Sequence, residues 1–170
     1  MAIVAALVVF PFCLAFAAIS DLLTMTIPNR VSLVLLVSFF LIAPFAGLNL
    51  AQIGIHIAAA ALVFAVCFCL FAVSAMGGGD AKLLTASAIW FGLSASLVHF
   101  LLYVSAFGGL LTLAVLFLRS KESLILAARI PVPRLLLTAQ KIPYGVAIGL
   151  GGFAAYPSSP LMQVAFAQLS

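Results

Sequence analysis

A chain of 170 residues that is 67% hydrophobic and only 6% charged, with a mean hydropathy of +1.42, cannot bury its apolar surface in a water-soluble core. Composition therefore excludes a soluble domain and predicts one membrane-embedded, all-α domain over residues 1–170, because repeated apolar runs near twenty residues read as spanning helices. The net charge of +4 comes from seven Lys/Arg against three acids, Asp21, Asp80 and Glu122. No nucleic-acid partner is expected.

The first apolar run, Ala2 to Ser20, ends at Ser20-Asp21. No cation precedes it, as one would in a secretory leader, so a retained first span is expected. A turn through Thr24-Met25-Thr26-Ile27-Pro28-Asn29-Arg30 follows, with Pro28 suited to the first turn of a second span that runs to about Phe45. The third span is expected from about Gln52 to Ala75, ending at Gly77-Gly78-Gly79. Leu83 to Leu118 holds no Lys, Arg, Asp or Glu, and at about 1.5 Å per residue its 36 residues far exceed a hydrocarbon core of about 30 Å. It must be two helices, broken near Gly92-Leu93-Ser94-Ala95-Ser96, with Trp90 expected in an interfacial aromatic belt. A polar connection from Arg119 to Lys141 follows, apolar enough at Leu124–Ala128 and Leu135–Leu137 to lie along the membrane surface. A short sixth span is expected from Pro143 to Tyr156.

With six spans, the connections after the first, third and fifth hold Arg30, Lys82, Arg119, Lys121, Arg129, Arg134 and Lys141, which are all seven cations. The positive-inside rule then places those connections in the cytoplasm, against anionic lipid, and both termini outside. Asp21 and Asp80 fall on that same side, at similar depth. Two neighbouring carboxyls share one proton, so one can activate a water while the other donates to a developing oxyanion. The three glycines beside Asp80 would let a second backbone approach and adopt unusual dihedrals. Cys13, Cys67 and Cys69 lie in apolar runs without a Cys-x-x-Cys pair, so neither a metal nor a cofactor is expected.

Each residue also has a plainer reading. Asp80 would serve as an N-cap and Asp21 as a solvated acid past a helix end. Lys82 reads as an interfacial cation, Glu122 as a loop charge, and His56 and His99 as packing residues near the outer ends of their helices. A small proton-coupled transporter using Asp21 and Asp80, or a non-enzymatic assembly partner, stays open beside a protease.

Gly77-Gly78-Gly79-Asp80 followed by Ala81-Lys82-Leu83-Leu84, with an aspartate ending the first span before Ile27-Pro28-Asn29 and with Lys141-Ile142-Pro143-Tyr144-Gly145 later, resembles the prepilin peptidases. These are intramembrane aspartyl proteases of the Gly-x-Gly-Asp type, and the small form associated with Flp/Tad pili is the nearest in pattern. The resemblance implies Asp21 and Asp80 as the catalytic pair. Gly77, Gly78, Gly79, Lys82, Pro28, Asn29, Pro143 and Gly145 would bind substrate or shape the site. It further implies a prepilin or pseudopilin substrate, cut at the cytoplasmic face of a bacterial inner membrane. The larger enzymes also N-methylate the new terminus and carry a cysteine-rich insert absent here, so cleavage alone is expected.

Overall fold

The structure, a computed structural model, describes residues 2–121 and 141–167. Among these residues every regular element is helical: α1 (Ala2–Thr24), α2 (Asn29–Ile42), α3 (Leu50–Ala72), α4 (Gly78–Ala88), α5 (Ala95–Ser120), α6 (Tyr144–Ala155), a 3-10 turn (Tyr156–Ser158) and α7 (Pro160–Ala167). Helices α1, α3 and α5 carry apolar stretches long enough to cross a bilayer, and α2 is a shorter apolar helix. By contrast α4, with 11 residues, and α6, with 12, fall short. At about 1.5 Å per residue they extend only about 17 and 18 Å. Both are enclosed by neighbours. Leu83, Leu84, Ala86, Ser87 and Ala88 of α4 are buried, as are Ala147, Ile148, Gly151 and Gly152 of α6.

The packing order follows from which helices touch. Helix α3 packs on α4, α4 on α2, α2 on α1, α1 on α6 and α6 on α5, with a further contact between α4 and α6. Helices α3 and α5 thus stand at the two flanks, with no extended contact between them among the described residues.

Several boundaries differ from the sequence expectation, each for a local reason. Helix α1 continues past Ser20 to Thr24, so Asp21 lies inside the helix rather than beyond it. The Thr24 hydroxyl donates to the Ser20 carbonyl at 2.8 Å, and Met25 closes the helix at φ +52°. Helix α2 begins at Asn29, with Pro28 extended at the cap, and stops at Ile42, three residues before Phe45. Helix α3 starts at Leu50 because Asn49 and Gln52 form a capping box, each side chain accepting the other's backbone N–H at 2.9 Å. It ends at Ala72. There Ser74 N–H donates to Phe71 O and Ala75 N–H to Leu70 O, a Schellman pair with Ser74 at φ +58°. The expected break within Leu83 to Leu118 is present, as the chain turns through Gly92 at φ +63° and Ser94 caps α5. The surface segment expected within residues 122–140, with Glu122, Arg129 and Arg134, lies outside the described residues.

Most of the large buried rings gather at one end. Phe10 stacks on Tyr156 at 4.3 Å between centroids and lies 5.1 Å from Trp90, while Phe91 stacks on Phe100 at 4.6 Å. Trp90 is therefore not in an interfacial belt. It is fully buried, and its indole N–H donates to the Leu35 carbonyl at 3.1 Å. A ring with one donor suits a core only where that donor has a partner. His56 is also buried, facing Phe39, with Nδ1–H donating to the Ile89 carbonyl at 2.6 Å, whereas His99 is exposed.

Candidate active site

The other end of the bundle is polar. Phe10, Leu14, Ala17 and Asp21 recur at helical spacing along α1, and all four are buried. Asp21 thus occupies the next core position of an apolar stripe, where an acid is costly without partners. Its partner comes from α6. The Gly145 N–H, free of any intrahelical bond because it lies in the first turn, donates to Asp21 Oδ2 at 2.7 Å. That oxygen directs a lone pair at the amide, which favours Oδ1 as the seat of any proton on this carboxyl.

The close approach of α6 to α1 requires glycine. A Cβ at Gly145 would lie 2.9 Å from both Asp21 Cβ and Oδ2, and 3.0 Å from Ile27 Cδ1. One and two turns on, a Cβ at Gly149 would sit 3.3 Å from the Leu14 carbonyl oxygen, and Gly152 likewise abuts the Leu14 side chain. Gly149 and Gly152 were not among the sequence candidates. Their signal was present as Gly145-x3-Gly149-x2-Gly152, small residues at helical spacing in an apolar helix.

Asp80 is the third residue of α4, whose cap is Gly77, so it is not the N-cap that the plainer reading assigned to it. Gly77 is extended at φ −71°, ψ 140°, and none of the three glycines before Asp80 has a positive φ. Close packing, not unusual dihedrals, explains them. A Cβ at Gly77 would meet Asp80 Oδ2 at 2.7 Å, one at Gly78 would meet the Phe71 ring at 3.3 Å, and one at Gly79 would meet Ile27 at 3.4 Å.

Both aspartates line one cavity of about 250 Å³, together with Met25, Asn29, Gly77 and Lys141. Asp80 stands outside the three long apolar helices, in the first turn of α4. Burial first, and then the charge of Asp21, push its carboxyl up to about 7, while the Lys141 ammonium pulls the other way. The environments of the two acids are thus unequal. One is pinned by an N–H donor; the other exchanges its proton near neutral pH.

The remaining candidates hold the frame. Lys82 Nζ donates to Asn29 Oδ1 at 3.0 Å, tying the starts of α4 and α2, so Lys82 is a tether here as well as an exposed cation. Pro28 and Pro143 occupy the cap positions of α2 and α6. Arg119 Nη2 donates to the Lys141 carbonyl at 2.8 Å, anchoring residues 141–145 to the end of α5. Lys141 entered the sequence reading only as part of a motif and a charge cluster; the fold puts it on the cavity wall. No three of His, Cys, Asp and Glu gather in one place among the described residues.

No curated protein and no solved structure matches the chain. The model of the type IV leader peptidase family matches residues 8–113. That match takes in both Asp21 and Asp80, and it ends before Lys141 and Gly145. It spans well over half of the 170 residues, and the chain belongs to the type IV leader peptidase family.

Proposed function

We propose that this membrane protease is an aspartyl endopeptidase that removes the short leader of type IV, Flp-like prepilins at the cytoplasmic face of a bacterial inner membrane. The observation that carries the reading is one cavity shared by two acids in unequal surroundings. Helices α1 to α6 run alternately, as a multi-pass bundle with both termini outside, so that Asp21, Asp80, Arg30, Lys82, Arg119 and Lys141 all face the cytoplasmic rim. Lipid surrounds the flanking helices.

In the reaction, Asp21 Oδ1 takes a proton from a water as its oxygen attacks the scissile carbonyl carbon. Asp80 gives its proton to the carbonyl oxygen, forming a neutral gem-diol. On collapse, Asp21 passes its proton to the leaving nitrogen and a gem-diol hydroxyl returns one to Asp80. A carboxylic acid and an amine are released, and both carboxyls regain their starting states. Gly145 keeps Asp21 oriented, Gly77, Gly78 and Gly79 let Asp80 and its neighbours approach, and Pro28, Asn29, Lys82 and Pro143 fix the converging segments.

The test is cleavage of a purified prepilin-type precursor by the protein in liposomes, compared with Asp21→Asn and Asp80→Asn. Loss of cleavage in each single variant is expected. Full cleavage by both would overturn the reading, and acid-dependent proton flux without cleavage would favour a transporter.

A further inference from the structure

A second hollow adjoins the aspartate cavity. This cleft of about 740 Å³ shares Gly77, Gly78, Asp80, Lys141 and Ile142 with it, so the two are continuous. It extends away from Asp21 between the end of α3 and the start of α6. One wall is apolar and open, with Leu70 41% and Phe71 50% exposed, and Tyr144 faces it from the other side. The flanking helices α3 and α5 make no extended contact with each other among the described residues. The rim contributes a second feature. The backbone N–H groups of Met76 and Gly77 have no hydrogen-bond partner among the described residues. Free N–H groups beside an apolar wall suit an extended peptide, whose carbonyls they would pair.

We propose that this cleft receives the apolar stretch of the substrate on the C-terminal side of the scissile bond, held extended, with its carbonyls on the Met76 and Gly77 N–H groups and its side chains against Leu70 and Phe71. The proposal rests on the peptidase reading of Asp21 and Asp80 and adds the direction of the bound chain. The direction follows from polarity. The smaller cavity alone is walled by Thr26 and Asn29, which suits the polar leader, while the α3 wall of Leu70 and Phe71 suits residues that come from a membrane helix. A helical peptide bond has its N–H and C=O groups engaged by its own neighbours, so it must be unwound before water can attack. The cleft supplies replacement donors at the point where the helix opens.

Two measurements test this on the full chain in liposomes. In the first, a precursor carrying a benzophenone side chain two to four residues after the scissile bond is photolysed on the Asp80→Asn protein, and adducts are mapped by mass spectrometry. Adducts on Leu70, Phe71 or Met76 are expected, with none there when the label is moved into the leader. Adducts on α1 or α2 instead, or the same α3 adducts from the leader, would overturn the proposal. In the second, Leu70→Trp fills the cleft and is expected to raise KM for the precursor about tenfold with kcat little changed, the pattern of lost binding rather than lost chemistry. An unchanged KM would count against it. Failure of the parent protein to cleave the precursor would strike the peptidase reading, whatever the label touches.

Discussion

The two ends of this bundle are built by opposite rules. At the aromatic end, Phe10, Trp90, Phe91 and Phe100 are completely buried, and the left-handed turns fall to Gly47 at φ +86° and Gly92 at φ +63°. At the carboxylate end the left-handed positions are Met25 at φ +52° and Ser74 at φ +58°, and both residues line the cavities there. A side chain in that conformation costs about 1–2 kcal/mol. The same end holds one buried acid, Asp21, and one half-buried acid, Asp80, and leaves space open beside them. Packing at the aromatic end offsets what the carboxylate end gives up, and strain collects where the chemistry is proposed.

The comparison breaks most completely if the acids are removed. Asp21→Asn and Asp80→Asn should each lower kcat at least about 10²-fold, the scale of a lost general acid or base. Thermal unfolding in detergent and the emission of Trp90 should change little, because the aromatic end is untouched. Next in size is Gly145→Ala. The added methyl would lie 2.9 Å from Asp21 Cβ and 3.0 Å from Ile27 Cδ1; the latter is a terminal methyl that can turn aside, but Asp21 Cβ is fixed to the α1 backbone. Asp21 or the start of α6 must move, and a displacement near 1 Å costs on the order of 10–10² in kcat. Retained kcat in this variant would show that the Gly145 N–H does not orient the acid.

Much of the architecture was legible beforehand because hydropathy decides it. The two carboxylates, the turns at Ile27-Pro28-Asn29 and at the glycines, and the break before Ala95 were read from apolar runs interrupted by a few polar residues. What stayed hidden depended on tertiary partners. Asp21 continues a buried stripe only because Gly145 N–H reaches it from 124 positions away. Trp90 leaves the interface because the Leu35 carbonyl accepts its N–H inside the core. The short sixth helix was expected, but that neighbouring helices enclose both α4 and α6 is something no apolar run reveals. The capping box Asn49-x-x-Gln52 is itself a sequence signal, and it places the start of α3 at Leu50 rather than Gln52.

Lys141 sharpens the comparison through pH. Asp80 titrates at about 7, raised by burial and by Asp21 and lowered by Lys141. The proposed mechanism needs Asp80 protonated, so cleavage should fall as pH rises through that value. Lys141→Met removes the lowering influence, Asp80 keeps its proton to higher pH, and the alkaline limb of kcat should move upward. The other charges nearby are engaged elsewhere, Lys82 on Asn29 and Arg119 on the Lys141 carbonyl. Lys141→Arg should restore the parent profile. A fall in amplitude with an unmoved limb would assign Lys141 a structural role only.

The smallest effects exchange the character of the two ends. Trp90→Phe removes one buried donor from the aromatic end and should cost about 1 kcal/mol of stability, with cleavage per folded molecule unchanged. Ser74→Gly does the reverse at the other end. The Ser74 hydroxyl has no hydrogen-bond partner among the described residues, so glycine loses no contact there and relieves the left-handed backbone. The relief of about 1–2 kcal/mol is partly cancelled by the greater freedom of glycine in the unfolded chain, about 0.4–1 kcal/mol, leaving a net gain near 0.5–1 kcal/mol. Denaturation in mixed micelles would read it directly. An unchanged or lowered stability would mean that Ser74 is not strained, and that the contrast between the two ends lies in their side chains rather than in their backbones.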